Sequence, residues 1–404
     1  RTIEVARRSG VRFCYTISFG VPPSYATSED FTVVTEKFRR FYDLGCRDFG
    51  ILLDDAPTGF AHDVNRRAFA SVAAAHADFC NRVLEWIGRL PEQCTLLMTP
   101  TEYHAVPPFS DYLHDLGRLL APEIAVCYTG RDICSPTITV ADADAFASVV
   151  GRKPLIWDNY PVNDLQMRPQ LHLGPLRGRD PNLYTAVSGM MFNPMIQAEA
   201  SKIPLVTIGE YLSDPERYDP QVAWEMALRE VAGERGYAPI RTFAENCLAS
   251  CLQPDEAPET DRLAAAALAS VRRGERAEDS EAVSALSHYL DQLDEAIYQI
   301  RNRVSNVSLR QNILPWVDSL DEKLWLGRRA LTLFRAYQAG DAVPRMVTWL
   351  QESLEEVHAN PRSIGGRGVI ELAECVYEPF KDQGQREPAQ ECGPSDTGDA
   401  VAGE

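Results

Sequence analysis

Short apolar runs alternate with amphipathic helical stretches through the first half of this 404-residue chain, and helical periodicity alone fills most of the second half. That order predicts an α/β protein built on a parallel sheet, a (β/α) barrel of the TIM type, with an all-α helical domain behind it. A third observation agrees: the apolar runs end in polar and aromatic residues, as strands do when their carboxyl ends open on one mouth.

Val11 to Ser18, Phe49 to Leu53, Thr95 to Thr99, Ile124 to Thr129, Pro154 to Trp157 and Ile203 to Ile208 read as strands, short apolar runs suited to burial on both faces. Between them lie helical patterns. The first is Asp30 to Leu44, with Phe31, Val34, Phe38 and Phe41 on one face, followed by Val64 to Leu90, Asp111 to Leu120 and Ala141 to Val150. Six strands are visible where a closed barrel has eight. Past Tyr211 the strand signals stop, and from Gln221 the pattern is helical almost to Val376. Val283, Leu286, Leu290, Leu293, Ile297, Ile300, Val304 and Val307 form a heptad seam, and a second seam after Pro315 runs through Val317, Leu320, Leu324, Gly327, Leu331 and Phe334. Two such helices read as antiparallel neighbours in a bundle, and either seam could also serve a homodimer. The expected division is a barrel over 1–215, a helical domain over 216–380 and a disordered tail over 381–404, where Gly, Pro, Asp, Glu and Gln leave little to bury.

A hydrophobic content of 45% with 24% charged residues is that of an ordinary globular protein. The formal charge of −18 argues against nucleic acid and against an anionic membrane as partners, since both would be repelled. No stretch approaches the ~18 apolar residues of a membrane span, and the residues after Arg1 lack the apolar core of a secretory signal. Ten cysteines are scattered, with Cys14, Cys46, Cys80, Cys94 and Cys127 in apolar patterns typical of buried free thiols, which points to a reducing, cytoplasmic compartment. Cys247 and Cys251 stand four apart on an expected helix with no histidine at a ligand spacing, so neither a metal nor another cofactor is expected.

The strand ends carry the chemistry. After the second run come two adjacent carboxylates, Asp54 and Asp55; after the third, Thr99-Pro100-Thr101-Glu102-Tyr103; after the fourth, Tyr128-Thr129-Gly130. The fifth leads into Trp157-Asp158-Asn159-Tyr160-Pro161-Val162-Asn163-Asp164, and Phe192-Asn193-Pro194 stands further on. Taken singly, each has a blander use: the acids as a turn or helix cap, Tyr103 as a core tyrosine, Asn193 as a loop starter. Gathered at one mouth they suit a sugar, whose C–H faces want a flat apolar wall and whose hydroxyls want charge-assisted hydrogen bonds.

In that order, LLDD, TPTEY, YTG, IWDNYPVND, LGP and FNPM, the motifs closely resemble glycoside hydrolase family 84, the β-N-acetylglucosaminidases that include O-GlcNAc hydrolases and enzymes historically called hyaluronidases. The resemblance covers roughly Val11 to Leu228. It implies a catalytic (β/α)8 barrel, then a helical domain, and retaining hydrolysis of terminal GlcNAc on a glycan or glycoprotein, assisted by the substrate's own acetamido group. It also implies that Asp54 orients the acetamido group and that Asp55 is general acid and then base. Tyr103, Thr129 and Trp157 would enclose the acetyl group, while Asn159, Asp164 and Asn193 would hold the acetamido region and the sugar hydroxyls. In the family the barrel begins with two strands that carry a glycine and a sugar-binding lysine, and Val11 to Gly20 matches the third. The chain is therefore expected to be a fragment of a longer protein, prone to associate and weakly active, and a sugar-binding protein without turnover is the alternative.

The residues make the same point about the acids. A conventional retaining pair sits about 5 to 5.5 Å apart on opposite faces of the sugar. Neighbours in sequence, with Cα atoms about 3.8 Å apart, reach that arrangement poorly. A nucleophile supplied by the substrate lets both carboxylates work from one side, and their closeness disfavours double ionisation.

Overall fold

The computed structural model describes residues 1–381; the tail expected to be disordered lies, but for Lys381, outside the described residues. Helix α1 (Thr2–Arg8) leads into β1 (Cys14–Ser18), and then strands and helices alternate: α2 (Ser28–Asp43), β2 (Asp48–Leu52), α3 (Asp63–Ala68), α4 (Val72–Ile87), β3 (Thr95–Thr99), α5 (Asp111–Leu119), β4 (Ala125–Tyr128), α6 (Val140–Val150), β5 (Leu155–Asp158) and β6 (Gly189–Phe192). Helices α7 (Ala198–Ser213), α8 (Pro220–Ala232), α9 (Glu234–Ala244), α10 (Pro258–Arg272), α11 (Glu281–Asn302), α12 (Val307–Gln338), α13 (Pro344–Ala359) and α14 (Gly368–Tyr377) follow.

The six strands are all parallel and lie in sequence order β1-β2-β3-β4-β5-β6, a curled half-barrel. The register sets the carboxyl ends side by side: Ser18 pairs with Leu52, Leu52 with Thr99 and Asp158 with Phe192. Strand β2 is enclosed between its neighbours because residue 50 is glycine. A Cβ there would meet Leu97 Cδ1 at 2.7 Å and Thr16 Cγ2 at 2.8 Å. Phe38 of α2 stacks on Phe49 of β2 with ring centroids 4.5 Å apart, and Ile51, Leu53, Met98, Val126 and Ile156 extend the same core. Local sequence also sets the helix starts: Ser71 Oγ caps α4 by accepting from Ala74 N, and Thr139 with Asp142 forms a capping box at α6.

Five of the six expected strands are found. The sixth is not where expected: Ile203 to Ile208 lies inside α7, and the strand is Gly189–Phe192. Among the buried residues of α7, Ala200, Ile203, Pro204, Thr207, Ile208 and Tyr211 recur at three- and four-residue intervals, so the apolar run is the inner face of a helix. The pattern Val64 to Leu90 is two helices, interrupted where Phe69 is extended and Ser71 restarts the chain as an N-cap. Cys247 and Cys251 lie in turns after α9, not on a helix, and Cys14 is exposed on β1, which among the described residues pairs on one side only.

The chain divides into two compact units, the first made of Arg1–Ala257 with Ala296–Trp316 and Arg362–Ile364, the second of Pro258–Glu295, Val317–Pro361 and Gly365 onward. The heptad positions Val283, Leu286, Leu290, Leu293, Ile297, Ile300 and Val304 are buried within the single chain, as are Val317, Leu320, Leu324, Leu331 and Phe334, whereas Val307 is exposed at the start of α12. Within the second unit Gly327 packs against Leu290 and Val369, and Arg328 bridges to Asp291 and Asp294. Pro315 stands inside α12 rather than opening it. Among the described residues no helix is long and apolar enough to cross a membrane.

Candidate active site

Strand β2 delivers the acids. Leu53 is buried, and its N–H donates to Thr99 O at 2.9 Å, so the ladder with β3 continues one residue past the strand. The chain then turns, Ala56 N donating to Leu53 O at 3.1 Å, and Asp54 and Asp55 fall at the turn. Asp54 is half-buried and Asp55 exposed. Atom Oδ1 of Asp54 is enclosed and has no hydrogen-bond partner among the described residues. Burial pushes the Asp54 carboxyl above its ordinary value, the nearby Asp55 adds to the push, and backbone N–H groups of Asp54 and Asp55 oppose it.

Opposite stands Tyr103, beyond β3. Burial first, then the charges of Asp54 and Asp55, push its hydroxyl above its ordinary value, which keeps it a hydrogen-bond donor in the same cleft as the two carboxylates. Its carbonyl accepts from Thr129 N at 2.9 Å. Thr129 is buried, lines the cleft and donates its hydroxyl to Asp132 O at 2.8 Å.

Asn159 is the hub of the far wall. Its Oδ1 accepts from Trp157 Nε1 at 3.1 Å and from Asn193 Nδ2 at 3.2 Å, and its Nδ2 donates to Ile133 O at 2.8 Å. One amide therefore orients the indole, the second asparagine and the loop after β4. Asn193 is placed by its own N–H, which extends the β5–β6 ladder to Asp158 O at 2.9 Å. Between Trp157 and Asn159, Asp158 points the other way into a buried, bidentate ion pair with Arg179, Nε to Oδ2 and Nη2 to Oδ1 both at 2.7 Å. Asp164 is exposed at the start of a short helical turn, where Met167 N donates to its carbonyl at 2.8 Å.

All eight expected residues, Asp54, Asp55, Tyr103, Thr129, Trp157, Asn159, Asp164 and Asn193, line one cleft of about 800 Å³. Reading the sequence missed others on the same walls: Thr99 and His104 beside Tyr103, Asp132, Ile133 and Cys134 on the loop after β4, and Leu165, Gln166 and Met167 after Asp164. Thr99 had a signal, since it ends a strand. The loop residues had none, because a loop's path depends on what it packs against.

Acids and aromatics gathered at the carboxyl ends of a curled parallel sheet define the class of protein, an α/β barrel type whose site opens at the strand ends. The family model described as beta-N-acetylglucosaminidase matches residues 1–245. The Protein O-GlcNAcases of Rattus norvegicus and of Mus musculus are each 30% identical over 214 residues, which is 52% of this chain and 23% of theirs, so the match spans less than a quarter of those relatives. An O-GlcNAc hydrolase of Thermobaculum terrenum, solved as a point mutant, superposes with a TM-score of 0.88 at 28% identity over 95% of this chain and 83% of its own. The structure of CpGH84B shares the fold alone, with a TM-score of 0.79 at 23% identity over 93% of this chain and 66% of its own. The chain belongs to glycoside hydrolase family 84.

Proposed function

We propose that this protein is a retaining β-N-acetylglucosaminidase that removes terminal GlcNAc, including O-linked GlcNAc of serine or threonine, through an oxazoline intermediate formed by the substrate's own acetamido group. The observation that carries the reading is the enclosed, unpartnered Asp54 Oδ1 beside Asp55 in a cleft walled by Tyr103 and Trp157. A buried carboxylate oxygen without a donor is costly. An acetamido N–H supplies that donor, and the bond strengthens as the carbonyl oxygen attacks C1 and the nitrogen gains positive charge. Asp54 thus polarises and orients the nucleophile. Asp55, on the open side, protonates the leaving oxygen and then deprotonates the attacking water.

Before a sugar binds, burial favours a proton on Asp54. A bound sugar changes this: once its ring covers Asp55, the same loss of water acts on that carboxyl, while the acetamido N–H stabilises Asp54 as the anion. Tyr103 donates to the cyclising oxygen, the Thr129 methyl and the Trp157 indole enclose the acetyl methyl, and Asn159, Asp164 and Asn193 hold the acetamido region and hydroxyls.

The proposal includes a (β/α)8 barrel, of which the six described strands form part, and a helical bundle domain after it, in a reducing cytoplasmic setting. The half-exposed β1, paired on one side among the described residues, supports the first point. The test is hydrolysis of an aryl β-GlcNAc glycoside by the protein, followed by NMR of the first-formed sugar. The account predicts release of GlcNAc with its β configuration kept; no release, or release of the α-anomer first, contradicts it.

A further inference from the structure

In a parallel ladder a residue bridges two residues of the neighbouring strand, its N–H donating to the carbonyl of the first and its carbonyl accepting from the N–H of the residue two further on. Leu53, the residue ahead of the acids, keeps only the first half of that pattern. Its N–H donates to Thr99 O at 2.9 Å, but the N–H of Thr101, which would complete the pair, donates instead to Tyr112 Oη at 3.2 Å. The Thr101 side chain takes over: its Oγ1 donates to Leu53 O at 2.9 Å. The same carbonyl accepts from Ala56 N at 3.1 Å, the bond that closes the turn carrying Asp54 and Asp55. Leu53 O thus has both lone pairs engaged, one by the turn and one by a hydroxyl from the chain beyond β3.

Thr101 is itself held from behind. The Tyr112 hydroxyl on α5 is also hydrogen-bonded to His76 Nδ1 at 3.0 Å, and His76 Nε2 is hydrogen-bonded to the Tyr25 hydroxyl at 2.9 Å. His76 of α4 is fully enclosed and Tyr25 nearly so. Burial pushes the His76 ring down to about 4, so it is neutral near pH 7 and the row of bonds needs no counter-charge. A polar row in an apolar core is costly unless its members are bonded, and bonded it makes a rigid support. This one ends on Thr101, and Thr101 ends on the strand that delivers the acids.

We propose that Thr101 is a positioning residue for the hydrolysis, its hydroxyl fixing the peptide that joins Leu53 to Asp54 and through it the two carboxylates. The Leu53 carbonyl and the Asp54 N–H belong to one planar unit, so a bond that fixes the carbonyl fixes the direction in which the chain enters Asp54. Thr99 and Tyr103, on either side of Thr101 in sequence, line the cleft; Thr101 is not among the described residues that do. It acts on the acids and not on the sugar. Asp54 has to meet an acetamido N–H while Asp55 meets the leaving oxygen, and a small misplacement of such groups is felt in the chemical step. The effect on rate rests on the proposed hydrolase reading; the hold on the turn does not.

Thr101→Val keeps the branched side chain and loses the donor, whereas Thr101→Ser keeps the donor. Rates on an aryl GlcNAc glycoside are counted per site, with the sites titrated calorimetrically by a thiazoline mimic of the cyclised intermediate, so that unfolded protein does not pass for slow protein. Thr101→Val should lower kcat roughly tenfold with KM within about twofold of the parent, and should weaken the thiazoline but not plain GlcNAc. Thr101→Ser should return kcat to within about threefold of the parent. A residue that only stabilises the fold would lower Tm and the number of sites and leave the remaining sites at full rate. An unchanged kcat per site in Thr101→Val, a loss confined to KM, or no recovery in Thr101→Ser therefore overturns the proposal. If Thr101→Val does not fold, Tyr112→Phe carries the test by freeing the Thr101 N–H: kcat should fall at unchanged KM, and the parental kcat overturns the proposal. Amide exchange reads the hold directly, since the Ala56 N–H should exchange faster in the folded variant than in the parent, and equal exchange overturns it. A parent that turns over no GlcNAc glycoside refutes the proposed function, and the exchange result then decides the hold alone.

Discussion

Asp158→Asn tests whether the β5 end is held in place from behind. The substitution keeps the shape of the side chain, removes its charge and leaves Arg179 as a cation with its partner gone. Both side chains are almost wholly enclosed, 2% and 1% exposed, and burial works against the Arg179 charge until Asp158 more than offsets it. Breaking such a pair costs about 3 to 5 kcal/mol. Arg179 Nη1 keeps hydrogen bonds to the carbonyls of Pro136 at 3.0 Å and Arg177 at 3.1 Å, which places the loss at the lower end. At about 2 to 4 °C per kcal/mol for a unit of this size, Tm should fall by roughly 6 to 12 °C. Trp157 and Asn159 flank Asp158, so affinity for a thiazoline mimic of the intermediate should fall with stability even at temperatures where the variant is folded. Adding Arg179→Met removes the orphaned cation and should recover part of the Tm loss. The assay is thermal unfolding by circular dichroism with calorimetric binding at 15 °C below the variant's Tm. A Tm change under about 2 °C, or no recovery in the double variant, refutes the reasoning.

Other outcomes follow from the same contacts. Asp55→Asn should slow natural GlcNAc glycosides far more than activated aryl glycosides, because a good leaving group needs little protonation, whereas Asp54→Asn should slow both; equal losses for Asp55→Asn contradict the role split. Asp54 has a native pKa raised above its unfolded value, so the native state binds the extra proton and stability falls as pH rises from the unfolded value of 3.8 through the native one. Asp54→Asn should therefore raise Tm near pH 7, with the gain vanishing below pH 3.8, and a Tm lowered at pH 7 contradicts the burial argument. Trp157→Ala should abolish the preference for the thiazoline over plain GlcNAc, read by calorimetry. Gly50→Ala brings a methyl group within 2.8 Å of Leu97 and Thr16, so a loss of about 1 to 3 kcal/mol is expected by chemical denaturation, with activity falling as the acids shift.

What could be read from the residues was set by period and by chemistry at fixed places. Five strands were legible because each is a short apolar run bounded by turn residues, and the acids, aromatics and amides were legible because they follow those runs directly. Ile203 to Ile208 misled because a run of six residues, apolar but for Thr207, carries no period of its own; the helix shows only when Ala200 and Tyr211 are counted with them. Gly189–Phe192 was passed over because it is half-exposed and only four residues long. Thr129 and Asn159 were found as site residues, yet not the bonds that tie them to Asp132 and Ile133, because those bonds depend on the path of a loop that no local pattern sets.

The central claim is that the substrate's acetamido oxygen is the nucleophile and Asp54 its partner. The direct measurement is kcat/KM for a series of aryl glycosides whose N-acetyl group carries none, one, two or three fluorines, in the full-length protein and in Asp54→Asn. Each fluorine weakens the carbonyl oxygen as a nucleophile while leaving the aryl group unchanged. The account predicts a steep fall along the series in the parent protein and lower rates throughout in Asp54→Asn. Rates that stay flat across the fluorinated series would show that the acetamido group takes no part in bond breaking, and would contradict the account at its centre.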